Sequence, residues 1–507
     1  MHEDAIAPTG PVPEGASKVH RRCIEDCDMG QKTAEERIGE FLRFGSRLGL
    51  ERMSALMHKL GDPQDDLNVI HIAGTNGKGS TARYIYESLI EAGYSTGIYT
   101  SPFIEKFNER IEADREMISD EDLESCTDVV LEKVNEMIEE GLESPTEFEV
   151  VTAVAFVWFK KIGCDAVVLE VGLGGRGDST NIIKKPVISV ITSISYDHMD
   201  RLGSTIPEIA AEKAGIIKTA CPVVVSTERD EAMDVFRMKA AELGAPLYDA
   251  LMITESDIKE LRPDGAVFDL DTVARRTDAC PGHDETGDCS AKEATPCIIR
   301  DLEISMGGQH QVTNAAEAVT ALLIQKKFEV SEDAIRRGLA RAKQPCRFEV
   351  LHKPDAGRQD TEDNPRRHAS RQPEPWIILD GAHNKDGAVK LHESVSRFFP
   401  KANILLVCGI LKDKDVSGIL DEFVAIGTDF IATEPENDRK LSAYDLAKAI
   451  HERGSLVYEV PKPENAAALA MSVARGYDVV LFTGSFYLIG KIRKLLREHY
   501  LAPGKEI

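Results

Sequence analysis

The feature that most restricts the fold of this chain is a set of short apolar runs that do not alternate. Strands with one wet face alternate apolar and polar residues, but "NVIHIAG", "DAVVLEVG", "VISVITSI" and "CPVVVS" are almost wholly apolar and β-branched. That pattern belongs to strands covered by helices on both faces, as in a parallel sheet. The stretches between them read as amphipathic helices: "STARYIYESLIEAG", "FEVVTAVAFVWFKKIG" and "IPEIAAEKAGIIK", with "TGIYTS" a further strand. The alternation resumes later in "WIILDGAHN", "NILLVCGIL", "DFIATEP", "LVYEVP" and "DVVLFTGSFYLIG". The fold class is therefore α/β, with a mostly parallel sheet in the first domain and a smaller, Rossmann-like α/β domain after it.

At 507 residues the chain exceeds what one core supports. We divide it into a disordered tail over residues 1–33, a first domain over 34–345 and a second over 346–507. "TAEERIGEFLRFGSRLGLERMSALMHKLGDP" carries apolar residues at helical spacing and stops at Gly61-Asp62-Pro63. Two polar, turn-rich blocks, at about 257–296 and 352–375, read as surface insertions, the second extending a hairpin.

Acidic residues outnumber basic ones by 86 to 61, giving a net charge of −25. Such a surface repels nucleic acid and anionic membrane, which are excluded as partners, but leaves room for an anionic small substrate in a local basic pocket. No apolar run reaches membrane-spanning length. The N-terminal stretch has neither the basic nor the apolar region of a leader, which predicts a cytoplasmic protein. Cys23 and Cys27, and Cys280, Cys289 and Cys297 with His283, lack the paired spacing of a zinc site.

"VIHIAGTNGKGSTARY" places a Gly-rich turn between a strand and a helix. A Walker A loop reads G-x-x-x-x-G-K-[ST]; here Ile72 takes the first glycine position and Gly79 delays Ser80 by one residue. The mechanism survives. Gly74, Thr75, Asn76, Gly77 and Gly79 let backbone N–H groups converge on phosphate oxygens at a helix N-terminus. Lys78 adds a point charge for the β/γ-phosphates, and Ser80 and Thr81 are candidate hydroxyls for phosphate or magnesium. The plain alternative is a ligand-free strand-to-helix turn. The loop predicts ATP binding, but a phosphate loop does not by itself separate a ligase from a kinase or a GTPase.

Five further stretches do so: "YTSPFIEKFNERI", "LEVGLGGRGDSTN", "ITSISYDHMDRLG", "EKAGIIK" and "ILDGAHN". With "GTNGKGS", and in this order, they resemble the folylpolyglutamate synthase/dihydrofolate synthase family of the Mur ligase superfamily. "GLERMSALMHKLGDP", "GGQHQVTNAAEAVTAL", "CRFEVL" and "FTGSFYLIG" add to the likeness, which spans most of residues 34–498. Gly177 stands where the family commonly has a bulky apolar residue, and Cys346 where a Gly is usual.

The resemblance implies an ATP-dependent amide ligase of folate biosynthesis and one-carbon metabolism, adding L-glutamate to a folate-type pterin through an acyl phosphate and working as a monomer. It implies two magnesium ions, with Ser101, Glu170 and His198 as ligands. A carboxylate at a strand end such as Glu170 is otherwise a cap, and a lone histidine such as His198 a structural hydrogen bonder. Asp197 is read as orienting His198 or capping the next segment. Lys213, by itself a residue to be paired with a carboxylate, matches a lysine that can be carbamylated, giving an anionic oxygen ligand. The implied catalytic set is Lys78, Lys213, His198 and Glu170. Asn314, Arg347, Asp380 and His383 are implied nucleotide contacts, the last three approaching as the domains close. "GILKDKD" and Ser485 match without an assigned role. Competing readings are a ligase of the same superfamily acting on a modified pterin or a cell-wall precursor, a P-loop NTPase regulatory module, and a nucleotide-binding scaffold. The second α/β domain is what a simple switch would not need.

Overall fold

The computed structural model describes residues 32–45, 47–272, 297–354 and 374–501. The first helical stretch is split: a helix at Ala34–Gly39 and a 3-10 turn are separated from the helix Glu51–Lys59, because Gly45 and Gly49 both take positive φ.

An eight-stranded sheet follows. Its strands are β1 (Val69–Ala73), β2 (Thr96–Tyr99), β3 (Ile111–Ala113), β4 (Glu116–Met117), β5 (Ala166–Glu170), β6 (Ile188–Ile191), β7 (Val223–Val225) and β8 (Leu247–Asp249), in the order β4-β3-β2-β5-β1-β6-β7-β8. All pairings from β2 to β8 are parallel; β3 and β4 add an antiparallel edge. Every residue of β1 and β5 is buried, as their unbroken apolar character requires. The helix Glu147–Ile162 begins with a Thr146–Glu149 capping box and buries one of the most apolar helical stretches of the chain. Chain order jumps from β1 over β5 to β2 on one side, while β6 lies on the other. This switch point opens a crevice at the carboxyl end of β1, where open α/β sheets bind ligands.

The first polar block proves only partly loop-like. Residues 257–262 and 265–272 fall within β9 (Thr254–Arg262) and β10 (Gly265–Thr272), which pair as a hairpin and continue to β11 (Cys297–Ile304) in a three-stranded antiparallel sheet. Charged residues on its wet face hid the alternation, but Phe268 and Leu270 are fully buried in the same apolar cluster as Val312 and Val319 of the helix Gln309–Ile324. The rest of that block, with Cys280, Cys289 and His283, lies outside the described residues, as do Cys23, Cys27 and most of the tail.

The second sheet has the order β12-β13-β17-β14-β15-β16, with β12 (Glu349–His352), β13 (Trp376–Leu379), β14 (Ile404–Cys408), β15 (Asp429–Ala432), β16 (Leu456–Glu459) and β17 (Val479–Thr483). Only β12 runs antiparallel. It pairs with β13 across the second polar block, whose residues 355–373 lie outside the described set. Among the described residues no helix is long and apolar enough to cross a membrane.

Candidate active site

The phosphate loop leaves β1 and enters the helix Lys78–Glu91 through Gly77, at φ 91°. Gly74, at φ 150°, packs so closely on the end of β6 that a Cβ there would lie 1.8 Å from Thr192 Oγ1. That hydroxyl donates to Asn76 O (2.6 Å), and Thr75 N–H donates to Ser193 O (2.8 Å). The loop is thus held open by backbone contacts, leaving its N–H groups at the helix start free to face an anion. Lys78 Nζ lies back on the loop carbonyls of Gly74 (3.2 Å) and Thr75 (3.0 Å), and burial lowers its pKa.

The loop residues Gly74 to Gly79 line one cavity of about 330 Å³ with Ser101, Glu170, His198, Lys213, Arg347 and His383. The residues come from different elements: Ser101 follows β2, Glu170 ends β5, His198 follows β6, and Arg347 and His383 belong to the second sheet's loops. Seven lining residues are Lys or Arg and three are Asp or Glu. In a chain of net charge −25 this is a local basic pocket, suited to phosphates and carboxylates.

Four of the expected residues are not in the lining. Ser80 is buried outside the cavity lining, and Thr81 Oγ1 donates to Glu317 (3.3 Å) in the neighbouring helix. Asn314 stands behind the loop, its Oδ1 2.6 Å from where a Cβ on Gly77 would be. Asp380 accepts backbone N–H groups from Phe348 and Ala382, both at 2.8 Å. Through these two bonds it shapes the turn that presents Arg347, whose guanidinium lies 4.4 Å from the Phe486 ring centroid, and burial pushes its pKa up to about 6.

Electrostatics separate the central groups. Glu170 is 4% exposed and, among the described residues, accepts only Ser101 N–H, at 3.3 Å; burial raises its pKa despite Lys78 and Arg347. Burial lowers His198 to about 4, leaving a neutral imidazole at neutral pH. Lys213 Nζ donates to Gly74 O at 2.8 Å, and burial, with Lys78 adding repulsion, brings its pKa down to about 7.

Asp197 does something the sequence did not suggest. Its Oδ1 takes the backbone N–H of His198 (2.9 Å) but stays 3.9 Å from the imidazole Nε2. Its carboxylate turns to the second domain, accepting from Lys414 (2.6 Å) and Asn384 (3.0 Å), with His383 Nε2 at 3.7 Å. Burial opposes the charge, but His383, His198 and Lys414 outweigh it and hold the carboxyl far below the usual range. Asn76 adds a second bridge by donating to Asp386 (2.7 Å). Lys414 lies in "GILKDKD", so the motif was visible while its partner was not. Arg110, Arg439 and Ser485 also line the cavity.

Residues 72–322 match the Mur ligase middle domain and residues 366–486 the Mur ligase glutamate ligase domain. The chain is 35% identical over 466 residues to the dihydrofolate synthase/folylpolyglutamate synthase of Bacillus subtilis, covering 90% of this chain and 96% of that one. The crystal structure of Thermotoga maritima folylpolyglutamate synthase superposes with a TM-score of 0.74 at 32% identity, covering 91% of this chain and 96% of the other. That of the Mycobacterium tuberculosis folylpolyglutamate synthase, complexed with ADP and AMPPCP, gives a TM-score of 0.76 at 28% identity, covering 91% and 98%. The phosphate loop, the basic interdomain cavity and these likenesses agree: the chain is an ATP-dependent ligase belonging to the folylpolyglutamate synthase/dihydrofolate synthase family of Mur ligases.

Proposed function

We propose that this ligase joins L-glutamate to the carboxylate of a folate-type pterin in two steps. A carboxylate oxygen of the pterin substrate attacks the γ-phosphorus of ATP, giving an acyl phosphate and ADP. The glutamate amine then attacks the acyl carbon, the amide forms, phosphate leaves and the amine gives up a proton. The observation that carries this reading is a single basic cavity built from both domains, with the phosphate loop on one wall and Arg347 and His383 on the other. Placing the reactants across a domain boundary lets closure exclude water from the acyl phosphate.

In this scheme Lys78 leaves its loop carbonyls for the β/γ-phosphates, and Arg347, stacked on Phe486, meets the nucleotide from the second domain. Asn314 and Asp380 support that site from behind, by shaping the phosphate loop and the Arg347 turn. Magnesium fits the residues present: Glu170 is a buried carboxylate with only one long backbone partner, beside the Ser101 hydroxyl and a neutral His198. Among the described residues no three His, Cys, Asp or Glu side chains gather around one point, so phosphate oxygens and water would complete the shell, as is usual for this ion. It would neutralise charge on the phosphates. Lys213, fully buried and brought to about 7, has the neutral amine that carbamylation requires; its carbamate would be a further oxygen ligand for a second ion. The divide after residue 345, a cytoplasmic location and a monomeric working form complete the reading, the last tested by size-exclusion chromatography with light scattering.

The test combines purified protein, Mg-ATP and labelled glutamate with dihydropteroate in one tube and tetrahydrofolate in another, following ADP and product mass. Glutamate incorporation supports the reading, and the responding tube names the step. ADP release without incorporation, or no turnover in either, overturns the folate acceptor. Labelled bicarbonate followed by carbon NMR tests the carbamate: no Lys213-dependent signal removes it.

A further inference from the structure

Arg493 lies in the last turn of the helix Phe486–Leu495, and its guanidinium meets two carboxylates from different parts of the chain. Nε donates to both oxygens of Glu349 on β12 (3.0 and 2.9 Å), and Nη2 donates to Oε1 (2.8 Å). Nη1 donates to Glu105, which belongs to the other domain. The three side chains are 14%, 20% and 17% exposed, so this is a shielded ion triad and not a loose surface pair.

Each carboxylate is tied to a residue of the site. Glu349 Oε2 also accepts the backbone N–H of Cys346 (2.9 Å), immediately before Arg347. Glu105 sits in the loop 101–106, which begins with Ser101. Within its own domain that loop is gathered by Glu109, which takes the N–H groups of Ile104 (2.7 Å), Glu105 (3.2 Å) and Lys106 (3.1 Å). On the other side Ile104 packs into the second domain's apolar cluster with Cys346 and Ile489. The helix carrying Arg493 comes so near that a Cβ on Gly490 would lie 1.9 Å from Ile104 O. The loop is therefore plugged into the second domain by an apolar residue, a close backbone contact and an ion pair.

We infer that Arg493 is a positioning residue: by clamping Glu105 and Glu349 on one planar fork, it sets the Ser101 loop and Arg347 in register across the domain boundary. The acyl-phosphate step then depends on a docked second domain, before that domain meets glutamate. A lysine cannot replace it, since a point charge does not span two carboxylates in fixed directions. The inference rests on the roles proposed above for Ser101 and Arg347.

The test uses Glu105→Gln, which keeps the shape and the Glu109 hydrogen bonds, Arg493→Lys, and the double variant. Hydrogen exchange by mass spectrometry on the peptide spanning residues 101–106 gives a readout independent of activity. Steady-state kinetics separate kcat from KM. The clamp predicts faster exchange in that peptide for both single variants. It also predicts a fall in kcat of about tenfold for Glu105→Gln, with KM for ATP changed less than about twofold. The double variant should be slower than Arg493→Lys by no more than about twofold, because both changes break the Arg493–Glu105 linkage and the Glu105 carboxylate otherwise meets only the exposed Arg497, at 3.9 Å, among the described residues. Unchanged exchange with unchanged kcat, or a lower melting temperature with kcat intact, overturns the inference, as do kcat losses that multiply in the double variant. If wild-type protein incorporates no glutamate, the folate reading fails while the exchange comparison still decides the clamp.

Discussion

Replacing Glu317 by Gln should stabilise this protein at neutral pH and leave it unchanged in acid. Glu317 lies in the helix beneath the phosphate loop, 1% exposed. One oxygen accepts the Thr81 hydroxyl at 3.3 Å and the other is buried without a partner. Burial raises its pKa from 4.5 to about 8, so the folded protein holds a proton there at pH 7 that the unfolded chain releases. The sign follows. Below pH 4.5 both states are protonated and the group is neutral to stability. As pH rises from 4.5 toward 8, the unfolded state gains the free energy of ionisation and the folded state does not, so stability falls by about 1.4 kcal/mol per unit. At pH 7 that is 2.5 units, or about 3 kcal/mol. A Gln of the same shape does not titrate and keeps an oxygen for Thr81, so about 2–3 kcal/mol should be regained. Denaturant unfolding of both proteins at intervals from pH 4.5 to 8 measures it. A difference that does not change with pH, or a variant less stable at pH 7, would refute the reasoning.

Lys414→Met removes the cation facing Asp197 at 2.6 Å, a gross attraction of about 6 kcal/mol at an effective dielectric of 20. Asp197 retains Asn384 and the His198 N–H, so about 2–3 kcal/mol of domain closure should be lost, seen as a roughly 30- to 150-fold drop in kcat/KM for glutamate; a drop under about threefold would show that the pair is not a latch. In Gly74→Ala the new methyl must displace Thr192 Oγ1, 1.8 Å away, so the loop should open and ADP affinity measured by calorimetry should fall more than about tenfold; unaltered affinity would contradict it. His71 is fully buried, with its pKa lowered to about 3, so the folded state refuses a proton that the unfolded chain accepts below 6.5. Stability should fall by about 2 kcal/mol between pH 6.5 and 5 from this group, and His71→Gln should flatten that part of the pH profile.

Much of the molecule was legible in the chain itself. Unbroken apolar runs identified the buried parallel strands, because only a strand covered on both faces can dispense with alternation. The phosphate loop was readable because its chemistry is local: glycines, a lysine and a helix start lie within a few residues of one another. Ser101, Glu170, His198 and Lys213 entered as site residues only through the family resemblance, and their distances did not come with it. The β9–β10 hairpin was missed because charges on a wet face blur a period of two. What tertiary structure alone decided is every relation between distant segments. Asp197 reads locally as a cap or an orienter of its neighbour, and only folding sets Lys414 and Asn384 against it. Thr81 reads as a phosphate hydroxyl until the helix turns it toward Glu317. Arg493 lies outside every motif named in the sequence, and only folding brings two carboxylates, 144 and 388 positions away along the chain, onto its guanidinium. Charge pairing depends on distance through space, and a sequence states only distance along the chain.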